Sequence, residues 1–350
     1  MHDRAAALPT AGWLRGPAFD LALIGGVAGL AVAAGTSVSL RPEWFAPILF
    51  LDLWLLGHPH VAATFTRLAF DAASLREHRL LMLGLPWLVV AVTFAVGRTL
   101  GLGALATTYL YWQWFHYTRQ GYGIARIYGR KAGLPEAKHM RSTIALLYAV
   151  PLWGILHRSW QDPERFLTLP VACLPTPRLA VALAAGASAA ALLVWILEQA
   201  RAARAGRLHL PLVLYVVSHT AVFATGYVAI RHIDHGWLLL NVWHNAQYLL
   251  FVWHYNHKSL QGRPVPAGRL PAALDRARGR SLPAFGLLCV GLGSIVYGGV
   301  ALVLGLDPVA AVPVAAVVVY QTINFHHYIV DGLIWKVRRP GVQKTLALAA

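Results

Sequence analysis

Charge is scarce in this chain. Asp, Glu, Lys and Arg together supply 13% of its 350 residues, where a soluble globular domain carries about a quarter. Acids are the rarer sign, 14 against 30 lysines and arginines, which leaves a formal charge of +16. Only two cysteines occur, Cys173 and Cys289. Two distant thiols in apolar or outer-side positions support neither a disulfide framework nor a thiolate metal site. No polar stretch exceeds an ordinary loop, so no separate soluble domain is expected. A Walker loop, a dinucleotide fingerprint and a His-Glu-x-x-His zinc motif are all missing. The basic excess does not point to nucleic acid, because the cations lie between hydrophobic runs. Membrane topology and anionic lipid headgroups explain them there.

What the sequence has in abundance is apolar surface, at 57% of residues, in runs such as 179–200 and 282–305. Runs of about 20 apolar residues match the hydrocarbon thickness of a bilayer, where only backbones with closed hydrogen bonding are tolerated. The expected fold is therefore all-α, a polytopic transmembrane helix bundle of about ten spans. The periodicity places them near 19–40, 44–70, 80–97, 102–126, 141–157, 179–200, 209–231, 236–258, 282–306 and 309–335. Residues before Phe19 carry Asp3, Arg4 and Arg15 and lack a short apolar core with a cleavage site, so the first span reads as a retained anchor. With the N-terminus inside, 24 of the 30 lysines and arginines fall on the cytoplasmic side, as the positive-inside rule requires. The expected organisation is a cytoplasmic segment 1–18, one membrane domain 19–335 and a cytoplasmic tail 336–350, set in a bacterial inner membrane. Gly25, Gly26 and Gly29 in the first span suit close helix packing. No internal repeat is evident, which gives an inverted-repeat transporter little support.

Histidine is the informative residue. Of 16 in the chain, His2, His78, His139 and His209 fall in inner segments or at helix ends, and His157, His232 and His235 fall at the outer surface. His219, mid-way along the seventh span, reads as structural. The other eight, His58, His60, His116, His244, His254, His257, His326 and His327, all lie on even-numbered spans. Measured from the nearest inner cation at about 1.5 Å per residue, most occupy one slab roughly 5–15 Å below the inner surface. His244 is deeper, at roughly 20 Å. Polar groups at that depth are costly unless they face one another or a cavity, and neutral imidazole is a common metal ligand. His254 and His257, at i,i+3, share a helix face. His327 and Asp331, at i,i+4, place a carboxylate beside an imidazole as ligand or as acceptor for its N–H. His58 and His60 diverge on a regular helix, but Gly57 and Pro59 offer a kink that turns both inward. Asp52, Gln113, Gln120, Asn245, Gln247, Asn256, Gln321 and Asn324 accompany these histidines, as do Tyr109, Trp112, Tyr117, Trp243 and Tyr248.

The segments Gly57-His58-Pro59-His60, Trp253-His254-Tyr255-Asn256-His257 and Asn324-Phe325-His326-His327 give the chain a resemblance to the integral-membrane histidine-cluster non-haem iron enzymes: desaturases, hydroxylases, alkane monooxygenases and membrane carotenoid-cleaving dioxygenases. The desaturase histidine boxes themselves are not reproduced. The resemblance implies one or two irons, dioxygen chemistry and a lipid-like substrate. The expected metal ligands are His58, His60, His116, His244, His254, His257, His326 and His327, with His244 and Asp331 as catalytic or supporting groups. Imidazole donors equally suit copper or zinc and argue against calcium or magnesium. Membrane lipid, a lipophilic small molecule and an electron-donor protein are the expected partners. The alternatives are a haem-binding electron-transfer protein and a transporter that moves protons or metal with histidines.

Overall fold

The computed structural model describes residues 12–70, 72–134, 136–303 and 314–348. His2, the rest of 1–11, the end of the ninth expected helix (304–306) and the start of the tenth (309–313) lie outside the described residues. The chain is nearly all helical. Ten long helices occur among the described residues: α1 Pro17–Leu40, α2 Pro42–Ala69, α3 Leu80–Thr99, α4 Leu102–Lys131, α5 Arg141–Gln161, α6 Arg178–Arg204, α7 Leu210–Ala229, α8 Ile233–Leu260, α9 Leu282–Val303 and α10 Val314–Ile334. Six of them, α1, α2, α3, α6, α7 and α9, are long and apolar enough to cross a membrane. Three of the other four, α4, α8 and α10, hold most of the chain's internal histidines, glutamines and asparagines, and those residues lower their hydropathy.

Polarity in the bundle runs inside out relative to a soluble protein. The outer faces of α3 and α9 expose Leu83, Trp87, Leu287 and Ile295, each more than two-thirds open, apolar surface of the kind that meets lipid. The interior instead holds Asp52, Gln113, His244, Asn245, Gln247, His327 and Asp331. Helix α8 is the pillar: every residue from His235 to Tyr248 is buried, so it is enclosed on all sides. It packs on α1, α2, α4, α7 and α9, while α10 lies against α3 and α4. A two-residue turn, Leu167 and Thr168, both with positive φ, joins short strands Arg165–Phe166 and Leu169–Pro170 between α5 and α6. Phe166 from this hairpin packs on Tyr109 of α4 and Trp237 of α8.

Two local features position the interior. Asp20 at the start of α1 is fully buried and accepts the N–H groups of Leu14, Arg15 and Gly16 at 2.8–3.0 Å. It also accepts the Tyr128 hydroxyl at 2.6 Å, which ties the N-terminal segment to α4. In α2, a π-helical turn spans Leu53–Gly57, directly before His58. Pro59 has no N–H to donate back to Leu55, and its ring crowds that carbonyl. A widened turn relieves both, and such turns often mark functional sites.

Candidate metal centre

Helices α2, α4, α8 and α10 each send an imidazole to one point in the interior. The rings of His60, His244, His116 and His327 form a closed circuit. Successive centroids are 5.0, 4.9, 5.2 and 4.6 Å apart, with planes inclined by 67–84°. That is edge-on convergence of nitrogens, not a stack. Asp331, one turn beyond His327 on α10, adds a carboxylate. Two overlapping sets of donors result, His60–His244–His327 and His116–His327–Asp331, and within each the ligand atoms lie within 4.8 Å of one another. Two donors bound to one ion at about 2.1 Å stand up to about 4.2 Å apart, so the spacing is close to what a shared ion requires. All five residues are buried. This His/Asp group can hold a metal ion.

Proton placement supports that reading. His60 Nδ1 lies 2.7 Å from the Gly57 carbonyl. A carbonyl only accepts, so Nδ1 carries the proton and a bare Nε2 faces the centre. Around His327, the Thr64 hydroxyl donates to Asp331 Oδ1 at 3.1 Å and lies 3.0 Å from His327 Nδ1. The same hydroxyl is 2.7 Å from the Tyr248 hydroxyl; where it accepts from Nδ1–H, His327 Nε2 is bare as well. The two Nε2 atoms are 3.0 Å apart: with one of them protonated they share a hydrogen bond, and with both bare their lone pairs repel unless a cation lies among them. His116 Nε2 and both nitrogens of His244 are buried without a hydrogen-bond partner among the described residues. A buried polar atom left unpaired costs about 1–3 kcal/mol, and a bound ion is one of the few things that satisfies several at once.

A hydrogen-bonded shell holds the donors in place. Tyr248 donates to Asp331 Oδ1 at 2.7 Å and accepts the Trp335 indole N–H at 2.9 Å. The far side of the cluster rests on a second network. Asp52 accepts from Asn241 and Asn245, Trp237 donates to Gln113 Oε1 at 2.6 Å, and Gln113 donates to Tyr109 at 2.8 Å. Between the networks, His116 stacks on Tyr328 and His244 lies on Tyr117. A cavity of about 10 Å³ beside His60 and His244 is lined by Tyr109, Tyr117, Tyr320 and Asn241, room for about one water-sized molecule. A larger cavity, of about 370 Å³, opens from His116, Tyr248 and Asp331 toward the ends of α4 and α10.

The structure gathers four of the eight expected histidines and sets the other four on different partners. His58 stacks on Tyr297 of α9 with centroids 3.7 Å apart. Two residues on a helix diverge by about 200°, and the π turn upstream widens the helix without bringing both rings inward. His326, one residue from His327 and so about 100° around the helix, bonds the Leu81 carbonyl at 2.8 Å and stacks on Phe65. On α8, His254 and His257 stand about 15 and 20 Å of helix rise beyond His244. Only one level of that helix meets the cluster, and it is the level of His244. His254 lies against Phe19, and His257 is 3.1 Å from the Gly279 carbonyl. The slab expected from inner cations set His254 and His257 level with His60, His116 and His327; the α8 ring that lies beside those three is His244. His219 packs on Phe223 and Trp243 in the core, away from the cluster.

Thr64 and Trp335 escaped the sequence reading, although a signal existed. Thr64 follows His60, and Trp335 follows Asp331, by four residues, the helical spacing that puts one side chain over another. Neither cysteine joins the donors. Cys289 packs in an apolar cluster with Ala63 and Phe285. Cys173 lies in the loop after the hairpin, where burial raises its thiol above the ordinary range; it offers no thiolate.

No family model, no curated protein and no solved structure matches the chain. The chemistry of the site itself therefore carries the reading of function.

Proposed function

We propose that this protein is a membrane-embedded, metal-dependent oxidoreductase of the oxygenase class, with non-haem iron held by His60, His116, His244 and His327 and by Asp331. The observation that carries the proposal is the donor set. His116, His327 and Asp331 make a two-histidine, one-carboxylate group with ligand atoms mutually within 4.8 Å, the set used by non-haem ferrous oxygenases. Nitrogen and oxygen donors without thiolate also accommodate copper or zinc and disfavour calcium and magnesium. Haem is disfavoured by space: a macrocycle held by two histidines lies between them, whereas His60 and His327 touch at 3.0 Å.

Iron at this position would supply dioxygen activation. The chain's own residues do the rest. The Gly57 carbonyl keeps the proton of His60 on its outer nitrogen, and the Thr64 hydroxyl would do the same for His327, so that their inner nitrogens stay free. Tyr248, itself bonded to Trp335, orients Asp331. The donors are buried, and the larger cavity leads from His116 and Asp331 to the end of the bundle. A lipophilic substrate from the bilayer would reach the centre that way, with electrons from a donor protein. This reading keeps ten membrane spans with both termini cytoplasmic, in a bacterial inner membrane. The six apolar helices support it, and the four remaining long helices complete the alternation that places the cations inside.

The test is elemental analysis of the purified, detergent-solubilised protein after loading with ferrous iron under nitrogen. At least one iron per chain that chelator removes, with no Soret absorption, is the expected result. A chain that retains no metal refutes the proposal, and a Soret band moves it to the haem class. Reporter fusions in the 132–138 loop should read cytoplasm and fusions near Asp162 the outside; the reverse pattern overturns the topology.

A further inference from the structure

Two cavities meet the cluster, and among the described residues none lines both. Helices α4, α8 and α10 contribute to each, and on all three the division falls at the same level. The lining of the small cavity ends one residue past the donor histidine, at Tyr117, Asn245 and Tyr328. Apart from His116 itself, the lining of the large cavity starts three or four residues past the donor, at Arg119, Tyr248 and Asp331. One cavity thus gathers the earlier residues of all three helices and the other gathers the later ones. The two lie on opposite sides of the cluster along the bundle axis.

The small cavity, of about 10 Å³, has room for about one water-sized molecule. Beside the donors it admits a ligand of one or two heavy atoms, and no organic molecule. Its wall is largely aromatic, with Tyr109, Tyr117, Tyr320 and Tyr328 among its lining residues. The hydroxyls of Tyr109 and Tyr117 are engaged with Gln113 and Asn241. Two other lining residues are fully enclosed yet unsatisfied. Both nitrogens of His244 and the Oδ1 atom of Asn245 are buried without a hydrogen-bond partner among the described residues. The Asn245 amide is oriented by Asp52, whose carboxylate accepts its N–H at 3.3 Å, so the oxygen is the atom left over. A neutral imidazole carries one N–H and one lone pair. If one His244 nitrogen serves the metal, the other still lacks a partner, and buried polar atoms of this kind call for an occupant.

Resting on the metal-centre reading above, we infer that the small cavity is the dioxygen site, and that dioxygen and the organic substrate reach the cluster from opposite sides. Size makes the division. Only the large cavity, of about 370 Å³, can take an organic molecule, and only a ligand as small as dioxygen fits the other. Aromatic walls suit an apolar diatomic, while the unpaired atoms of His244 and Asn245 give it polar contacts that fix its orientation. Two sites without a shared wall let both reactants be held at once, and neither has to leave for the other to bind.

The experiment uses the full chain in detergent, loaded with ferrous iron under nitrogen, with iron per chain measured on every sample. Nitric oxide is the probe that stands in for dioxygen, and its titration is followed by electron paramagnetic resonance. Gly57 lines the small cavity and has helical backbone angles. A methyl there would stand 3.4 Å from Asn245 Nδ2 and 3.4 Å from Leu53 Cδ2, and both residues belong to the same wall. Gly57→Ala therefore takes up the space without a clash. Nitric oxide affinity should fall by about ten-fold or more, with iron per chain at the wild-type value. Gly123 lines the large cavity, and a side chain begun there meets nothing within 4 Å. Gly123→Leu should leave nitric oxide affinity within about two-fold of wild type. Unchanged affinity in Gly57→Ala overturns the inference and leaves the small cavity a place for water alone. Loss of nitric oxide binding in Gly123→Leu also overturns it, and that variant decides alone should Gly57→Ala fail to fold. A wild type that holds no iron marks failure of the metal centre, whereas iron held with the wrong pattern of affinities marks failure of the dioxygen site.

Discussion

His326 and His327 are neighbours in sequence, both buried and both imidazoles, and the structure gives them opposite fates. His327 belongs to both donor sets, facing His60 and Asp331 through Nε2 and Thr64 through Nδ1. His326 turns outward to the Leu81 carbonyl and the Phe65 ring. Replacing His327 by alanine removes a ligand shared by every arrangement of metal the cluster allows. Loss of a residue that merely supports a ligand costs about 10–100-fold in metal affinity, so loss of this ligand should exceed about 100-fold, or about 2.7 kcal/mol. His326→Ala removes one hydrogen bond to a carbonyl, worth about 1 kcal/mol to folding, and should leave metal affinity within about two-fold of wild type. The assay is metal-to-protein ratio by mass spectrometry after dialysis against a buffered chelator. Thermal unfolding with and without metal accompanies it, because an ion present at about 100 times its Kd stabilises the native state by about 2.7 kcal/mol. Wild type and His326→Ala should show that metal-dependent rise in Tm, and His327→Ala should not. Equal metal loss in the two variants, or full retention in both, would refute the four-helix cluster as the site.

The remaining expectations concern the shell, the bystanders and the packing. Thr64→Val keeps the side-chain volume but removes the hydroxyl between His327 and Asp331; metal affinity should fall about 10–100-fold while membrane insertion stays normal, and unchanged affinity would mean the hydroxyl orients nothing. His254→Ala and His257→Ala should each leave the metal ratio at the wild-type value, since both stand away from the cluster on α8; metal loss in either would contradict the placement of that helix. At Gly121, an added methyl would meet the His219 ring at 2.3 Å, so Gly121→Ala should destabilise the chain by about 1–3 kcal/mol through overpacking of α4 on α7, read as a lowered Tm of the metal-free protein.

The sequence by itself determined the helices. Hydrophobic runs of bilayer length, broken by cations and prolines, need no long-range contact to be recognised, because each helix closes its own backbone hydrogen bonds. It also determined that α2, α4, α8 and α10 carry the internal histidines, and that Asp331 lies one turn from His327, since helical periodicity is local. Which histidines meet was decided by the tertiary structure alone. The azimuth of each helix in the bundle and its sliding along its neighbours are set by packing between distant segments. The π turn ahead of His58 leaves the two rings on opposite sides of α2, His60 toward the centre and His58 toward Tyr297. Helix α8 presents His244 to the other donors, while His254, equally buried, lies against Phe19 and His257 against the Gly279 carbonyl. A side chain's position along a helix is written in its number; the partner it faces across a bundle depends on rotation and offset, which no single helix encodes.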